Sequence, residues 1–259
     1  MSRAEVEPPA RGGAPYRRYD FKTALLDELI ARCGDRDLEL LDLGSGTSKD
    51  FVEVLRRYPR VRYTGVEYRA QSLAQARRLL DGHPGVELVS GFGEAVQAAW
   101  AGRFDLTLSL SVLEHVKRLR GFLRSSVRVT RPGGWIVHRY DLGHALHSVS
   151  RYERFKVFLC KTVPAAMPAR HFTTHPDLRE VVRILEEAGA EVREVRYAQL
   201  PGLKEMMNRI DWDAPESPAL ARSLVELDGR LARHLDGRVD AREMETLFPV
   251  ITVAAVRKA

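Results

Sequence analysis

Three groups of residues combine side chains and spacings suited to chemistry. Asp42-Leu43-Gly44-Ser45-Gly46-Thr47 sets an acid ahead of two glycines one residue apart. Lacking a Cβ, those glycines let the backbone come close to a ligand. Glu67 closes the run Val61-Arg62-Tyr63-Thr64-Gly65-Val66, and Glu94 follows the turn Ser90-Gly91-Phe92-Gly93. An ionised carboxylate has acceptor sites for more than one donor, which suits such acids to paired hydroxyls or to an amine. The third group is histidine-based. His115 lies in Ser111-Val112-Leu113-Glu114-His115-Val116, and His138, Asp141 and His144 recur every three residues, with His147 next. Imidazole titrates near neutrality, so His144 or His138 can act as a general base with Asp141 orienting it. The same residues can instead line a pocket lip and hydrogen-bond a cap. His and Asp also bind divalent metals, but strand gives way to turn here and no cysteine or further acid completes a set, so no metal is expected.

The elements that must position these groups follow from the periodicity. Leu38–Leu43 is an apolar run leading into the glycine turn, and a helical segment runs from Lys49 to Arg57. A buried strand that turns sharply onto a helix is how α/β proteins build a nucleotide pocket. Further strands are expected at 61–67, 86–89, 104–110 and 135–140, alternating with helices at 72–80, 94–100 and 119–130. Arg131-Pro132-Gly133-Gly134 reads as a tight turn. Phe21, Leu25, Leu26, Leu29 and Ile30 place a helix ahead of the first strand, with Tyr16 and Tyr19 at its start either packing it down or folding over the pocket. After residue 142 the pattern changes. Residues 142–172 are expected to form a helical cap. Thr174-His175-Pro176-Asp177 then opens a helix that Gly189 closes, and a strand follows at 191–197. Residues 200–245 form a second insert before a last strand at 247–256. Met206 to Trp212 in that insert is read either as a pocket wall or as cap core. The fold class expected is α/β: a doubly wound seven-stranded sheet, mostly parallel with an antiparallel last strand, plus helical cap inserts. Residues 1–15 read as a disordered tail, and 16–259 as one domain with inserts at about 142–172 and 200–245.

A dinucleotide fingerprint would carry a third glycine where Lys49 stands. The full set is different: D-x-G-x-G-T at Asp42–Thr47, an acid ending the second strand, a Gly-x-Gly-Glu turn at 91–94, Leu113-Glu114-His115 after the fourth strand, and a Pro-Gly-Gly turn before the fifth. In that register the chain resembles the class I S-adenosylmethionine-dependent methyltransferases, over roughly residues 38–198 and the last strand. The resemblance implies S-adenosyl-L-methionine as cofactor and S-adenosyl-L-homocysteine as product. It implies that Glu67 accepts both ribose hydroxyls, that Tyr68 lies against the adenine, and that Gly44, Ser45, Gly46 and Thr47 run beside the methionine portion. Asp42 would receive the methionine ammonium or orient the loop. Phe92 and Gly93 would recognise adenine, and Glu94 could take the adenine amine where the family usually has an earlier acid. Ser109 and Leu110 to Ser111 would offer carbonyls to the methionine end. His115 would sit below that end or only cap the next helix. The fold seldom fixes a base for methyl transfer, so His144, His138, Asp141 and His115 are the catalytic candidates.

Composition narrows the partners. The chain has 259 residues, 44% of them hydrophobic, and a net charge of +6. No apolar run approaches the ~20 residues that span a bilayer, and Met1–Tyr16 shows no apolar signal region. Cys33 and Cys160 lack metal-like spacing, which fits a reducing cytoplasm. Lys117, Arg120, Arg124, Arg128 and Arg131 share one helix face. A solvated face is the expected reading, and nucleic acid is not an expected partner. The expected acceptor is a small molecule, methylated at oxygen more readily than at nitrogen. A monomer or homodimer is expected, without a membrane. An RNA or protein acceptor and a non-catalytic binding module stand as alternatives.

Overall fold

Leu38, Leu40, Leu41 and Leu43 are almost completely buried, so the first strand is covered on both faces and shows no polar alternation, as a central parallel strand should. In the computed structural model, which describes residues 19–34, 36–96, 98–143, 151–163 and 172–259, this strand, β1 (Leu38–Leu43), pairs in parallel with β2 (Val61–Glu67) and β4 (Phe104–Leu110). β2 also pairs with β3 (Val86–Ser90), and β4 with β5 (Thr130–Asp141), again in parallel. β6 (Ala190–Ala198) and β7 (Val250–Arg257) complete a seven-stranded sheet of order β3-β2-β1-β4-β5-β7-β6. β7 is antiparallel to both of its neighbours and lies between them. The expected α/β class and its antiparallel last strand are therefore present.

Each face of the sheet buries its own core. On one side Leu25, Leu26 and Leu29 of α1 (Phe21–Cys33) and Phe51, Val52 and Leu55 of α2 (Phe51–Arg57) pack onto Leu40, Leu106 and Val137. On the other, Phe122, Leu123 and Val127 of α4 (Leu119–Val129) and Val181, Ile184 and Leu185 of α6 (Leu178–Glu187) pack onto Leu41, Ile136 and Val253. Each of these side chains contributes roughly 1.5–3 kcal/mol on burial. α3 (Ala70–Leu79) follows β2 and α5 (Arg151–Thr162) follows β5. The segment between β6 and β7 holds α7 (Pro201–Asn208), α8 (Ser217–Leu235) and α9 (Ala241–Leu247).

Local departures from the expected pattern have local causes. Residues 94–100 form two short 3-10 turns rather than a helix. Arg131–Gly134 lies inside β5, where the register with β4 shifts, and Gly133 adopts φ +74°. A Cβ at Gly134 would come within 2.9 Å of the Asp105 carbonyl, so the backbones touch there. The helix after Pro176 is capped by Asp177, whose carboxylate accepts the Glu180 N–H at 3.1 Å, and not by Thr174. Tyr19, Ile210 and Trp212 pack around Phe21, Met207 and Ala221. Met207, Ile210 and Trp212 of that segment thus pack as cap core against the start of α1, as one of the two readings expected, while Met206 is exposed. Tyr16 and the tail lie outside the described residues.

Candidate active site

The glycine turn is peeled from the end of β1 by β2. Gly44 N–H and Ser45 N–H both donate to the Val66 carbonyl, at 2.8 and 3.0 Å. Gly44 and Gly46 have φ of +83° and +56°, the left-handed region that disfavours a side chain. A Cβ on Gly44 would strike Val112 at 2.7 Å, whereas nothing lies within 4 Å of one on Gly46. The turn opens onto a cavity of about 680 Å³ whose lining includes Asp42, Gly46, Glu67, Tyr68, Phe92 and His115. That volume falls in the range of small-molecule and cofactor sites.

Glu67 is buried, and its carboxylate is aimed by backbone donors: Gly46 N–H on Oε2 at 2.9 Å and Arg69 N–H on Oε1 at 2.7 Å. Each oxygen keeps a further acceptor site. Asp42 is also buried; its Oδ2 accepts Tyr63 O–H at 3.1 Å, and Tyr63 in turn meets the Ser48 hydroxyl at 2.9 Å. Its Oδ1 has no hydrogen-bond partner among the described residues, and burial pushes its pKa up to about 7. An unpaired buried carboxylate oxygen is costly and marks a place for a cationic donor.

Tyr68 and Phe92 close the far end as a stack, with centroids 5.0 Å apart and planes 14° from parallel. A ring inserted between two others needs about 7 Å, so the gap between these two rings does not admit a planar base. Phe92 is exposed, and the Phe122 ring occupies the space a side chain at position 93 would need, 2.3 Å from an ideal Cβ on Gly93. Glu94 lines the cavity, and its carbonyl is held by the Ser125 hydroxyl at 3.1 Å. Ser45, Thr47, Leu110 and Ser111 also line it.

Ser109 does not. It is fully buried, and its hydroxyl faces His138 Nδ1 at 2.8 Å, so its reading as a cofactor contact is corrected. His138 is corrected with it. This histidine is fully buried in β5, its Nε2 is 2.9 Å from the Ser126 hydroxyl, and burial lowers its pKa to about 3. A ring bound at both nitrogens inside the sheet cannot take a proton from an acceptor. Asp141 is buried and held by Lys204 Nζ at 2.7 Å and the Gly143 N–H at 2.7 Å, so the side chain described beside it is a lysine. His144 and His147 lie outside the described residues, as does His171.

His115 is exposed and lines the cavity. Its Nδ1 lies 3.1 Å from the Phe172 carbonyl. The Thr173 hydroxyl also lies 3.4 Å from Nδ1; a carbonyl can only accept, so the tautomer that satisfies it places the proton on Nδ1. Beside it, Glu114 is buried with one carboxylate oxygen unpartnered, and burial raises its pKa to about 7.

The helix-face cations are largely engaged. Arg120 pairs with Glu187 at 2.7 Å, Arg131 with Asp105 at 2.8 Å, and Arg128 donates to the Val96 carbonyl at 2.9 Å. Lys117 lines the cavity. No helix among the described residues is long and apolar enough to cross a membrane.

The model of a protein family described as a methyltransferase domain matches residues 16–195. The chain belongs to the class I S-adenosylmethionine-dependent methyltransferase family. Solved structures with the same fold include a phosphoethanolamine N-methyltransferase from Haemonchus contortus in complex with S-adenosyl-L-methionine, at 17% identity and TM-score 0.59, covering 91% of this chain and 53% of that one. A geranyl diphosphate C-methyltransferase from Streptomyces coelicolor A3(2), in complex with Mg2+, geranyl diphosphate and S-adenosyl-L-homocysteine, matches at 17% identity and TM-score 0.56, covering 91% and 79%. A [4+2]-cyclase, SpnF, matches at 14% and 0.58, covering 92% and 82%. At these identities the likeness is one of fold.

The cofactor of this methyltransferase family fits the cavity. Glu67 keeps acceptor sites for a diol, the Asp42 oxygen lacks a donor, and the Gly46 backbone is unobstructed. Sequence reasoning overlooked Lys22, which reaches the cavity of the methyltransferase from α1. A lone lysine at a helix start carries no motif, so only packing reveals it.

Proposed function

We propose that this methyltransferase transfers a methyl group from S-adenosyl-L-methionine to an oxygen of a small-molecule acceptor. The observation that carries the cofactor half is Glu67, a buried carboxylate fixed by two backbone N–H groups with acceptor capacity left over for a ribose diol. In this reading Asp42 takes the methionine ammonium. Gly44, Ser45, Gly46 and Thr47 follow the methionine arm, while Tyr68, Phe92, Gly93 and Glu94 bound the adenine. Leu110 supplies backbone near the arm. When bound, the cofactor supplies a methyl group already activated by a sulfonium. The chain's own residues need only align an acceptor, exclude water and take a proton.

His115 is our candidate for that proton. It lines the cavity, and the tautomer that satisfies the Phe172 carbonyl leaves Nε2 as the acceptor. A hydroxyl acceptor gives such a base a proton to remove, which supports oxygen over nitrogen. His144 is the second candidate. We further take 16–259 as one domain whose cap comprises the segments at about 142–172 and 200–245. The engagement of Arg120, Arg128 and Arg131 by protein groups supports a small acceptor over RNA.

Because a cyclase shares the fold, fold alone does not establish transfer. The test is calorimetry with S-adenosyl-L-homocysteine and NAD, then a methyl-transfer screen over phenols, alcohols and amines. Binding of S-adenosyl-L-homocysteine and transfer to a hydroxyl support the reading. Binding without turnover on any acceptor favours a non-catalytic module.

A further inference from the structure

Lys22 sits in the first turn of α1 and lines the same cavity as Asp42 and Glu67. The backbone around it is pinned twice. The Asp20 carboxylate caps the helix by accepting Lys22 N–H at 2.9 Å and Thr23 N–H at 3.1 Å. From β5, the buried Arg139 donates through Nη1 to the Phe21 carbonyl at 3.0 Å. The lysine is thus held over the pocket by a fixed backbone, while its own head group is loosely matched. Its ion-pair partner among the described residues is Asp50, at 3.7 Å, beyond hydrogen-bond distance. Lys22 and Asp42 line the same cavity.

One end of the cavity therefore presents a buried carboxylate oxygen without a donor and an ammonium without a close acceptor. An α-amino acid zwitterion has the complementary pair of charges. We propose that Lys22 binds the α-carboxylate of the cofactor's amino-acid arm, opposite Asp42 on its ammonium. This rests on the cofactor reading above and adds a residue upstream of the glycine turn to the site. The competing role for Lys22 is a purely structural pair with Asp50.

The two compounds that separate these roles are S-adenosyl-L-homocysteine and 5′-methylthioadenosine. The second keeps the nucleoside and thioether but lacks the amino-acid arm. Calorimetry on the full chain is expected to show that Lys22→Met weakens S-adenosyl-L-homocysteine by about tenfold or more, the loss of one charge-assisted contact. Binding of 5′-methylthioadenosine should stay within about twofold, and Lys22→Arg should recover most of the loss. Asp50→Asn should leave S-adenosyl-L-homocysteine binding unchanged or tighter. Equal losses on both compounds, no loss on either, or an Asp50→Asn variant that copies Lys22→Met would each overturn the proposal. If the unaltered protein binds neither compound, the cofactor reading itself fails and takes the proposal with it.

Discussion

The ends of β1, β2 and β3 and the end of β5 lie on one rim of the sheet but are built by different means. Around Asp42, Gly44 and Glu67 the geometry is made by the backbone of two paired strands: strand-end carbonyls turn the chain, and backbone N–H groups aim the carboxylate. Around β5 the contacts are made by side chains. His138 is held by Ser109 and Ser126, Arg139 reaches Phe21, Asp141 reaches Lys204, and His115 reaches Phe172. A site made from backbone groups of paired strands tolerates change in the rest of the chain. One made from side chains is retuned by any shift in the cap, which suits a half that must fit an acceptor.

Substitutions can break this division or sharpen it. The largest expected effect is on the backbone-made half. Glu67→Ala should weaken S-adenosyl-L-homocysteine by about a thousandfold, two charge-assisted hydrogen bonds, measured by calorimetry. An affinity within tenfold of the parent would mean that Glu67 does not hold the ribose. Next comes His115→Ala, expected to lower kcat by about a hundredfold with cofactor affinity unchanged. The same assay on His144→Ala tells whether the proton goes there instead, and a larger loss in that variant would move the base across the cap.

A smaller, different effect is expected at His138. His138→Ala removes a packed ring and leaves two buried serine hydroxyls short of a partner. It should cost about 2–3 kcal/mol in denaturant unfolding and leave kcat within about threefold. Lost turnover in a fully stable variant would put this histidine back among the reacting groups. The smallest effect is on pH. The folded pKa of Asp42, about 7, lies above the 3.8 of an ordinary aspartate. The native state therefore binds this proton more tightly, and the contribution to stability declines as pH rises from about 4 to about 7. Glu114 shifts the same way. Because an ammonium prefers the ionised acid, S-adenosyl-L-homocysteine should bind up to about tenfold tighter at pH 8 than at pH 6. Asp42→Asn should flatten that profile, and a persistent slope would assign it to another group.

The same division explains what could be read from the sequence. Gly44, Gly46 and Glu67 announce themselves because glycine turns and strand-end acids are local signatures, and the alternation of strands and helices carried the mostly parallel sheet with them. β5 carried no such signal. Ile136, Val137 and Tyr140 are all fully buried, so the strand lacks the polar alternation that would have told the inward His138 from a rim residue. Ser109 misled for the same reason. Its place in the run looked like a rim position, and only the cross-strand pairing Ser109–His138 shows that it closes a buried network. Lys22 and Phe172 enter the site through packing of segments far apart in the chain, which periodicity does not encode.

The place of β7 bears on how the protein comes to exist during synthesis. β5 and β6 both precede Val250–Arg257 in the chain, yet they do not pair with each other; both wait for that later strand. The nucleotide-turn half can assemble on the nascent chain, since β1 to β4 pair among themselves and with β5. The half that carries Asp141 and the helices between β6 and β7 cannot settle until β7 emerges from the ribosome. Until then the β5 edge is an open ladder, the part of the newborn chain most exposed to mispairing and most dependent on chaperone cover.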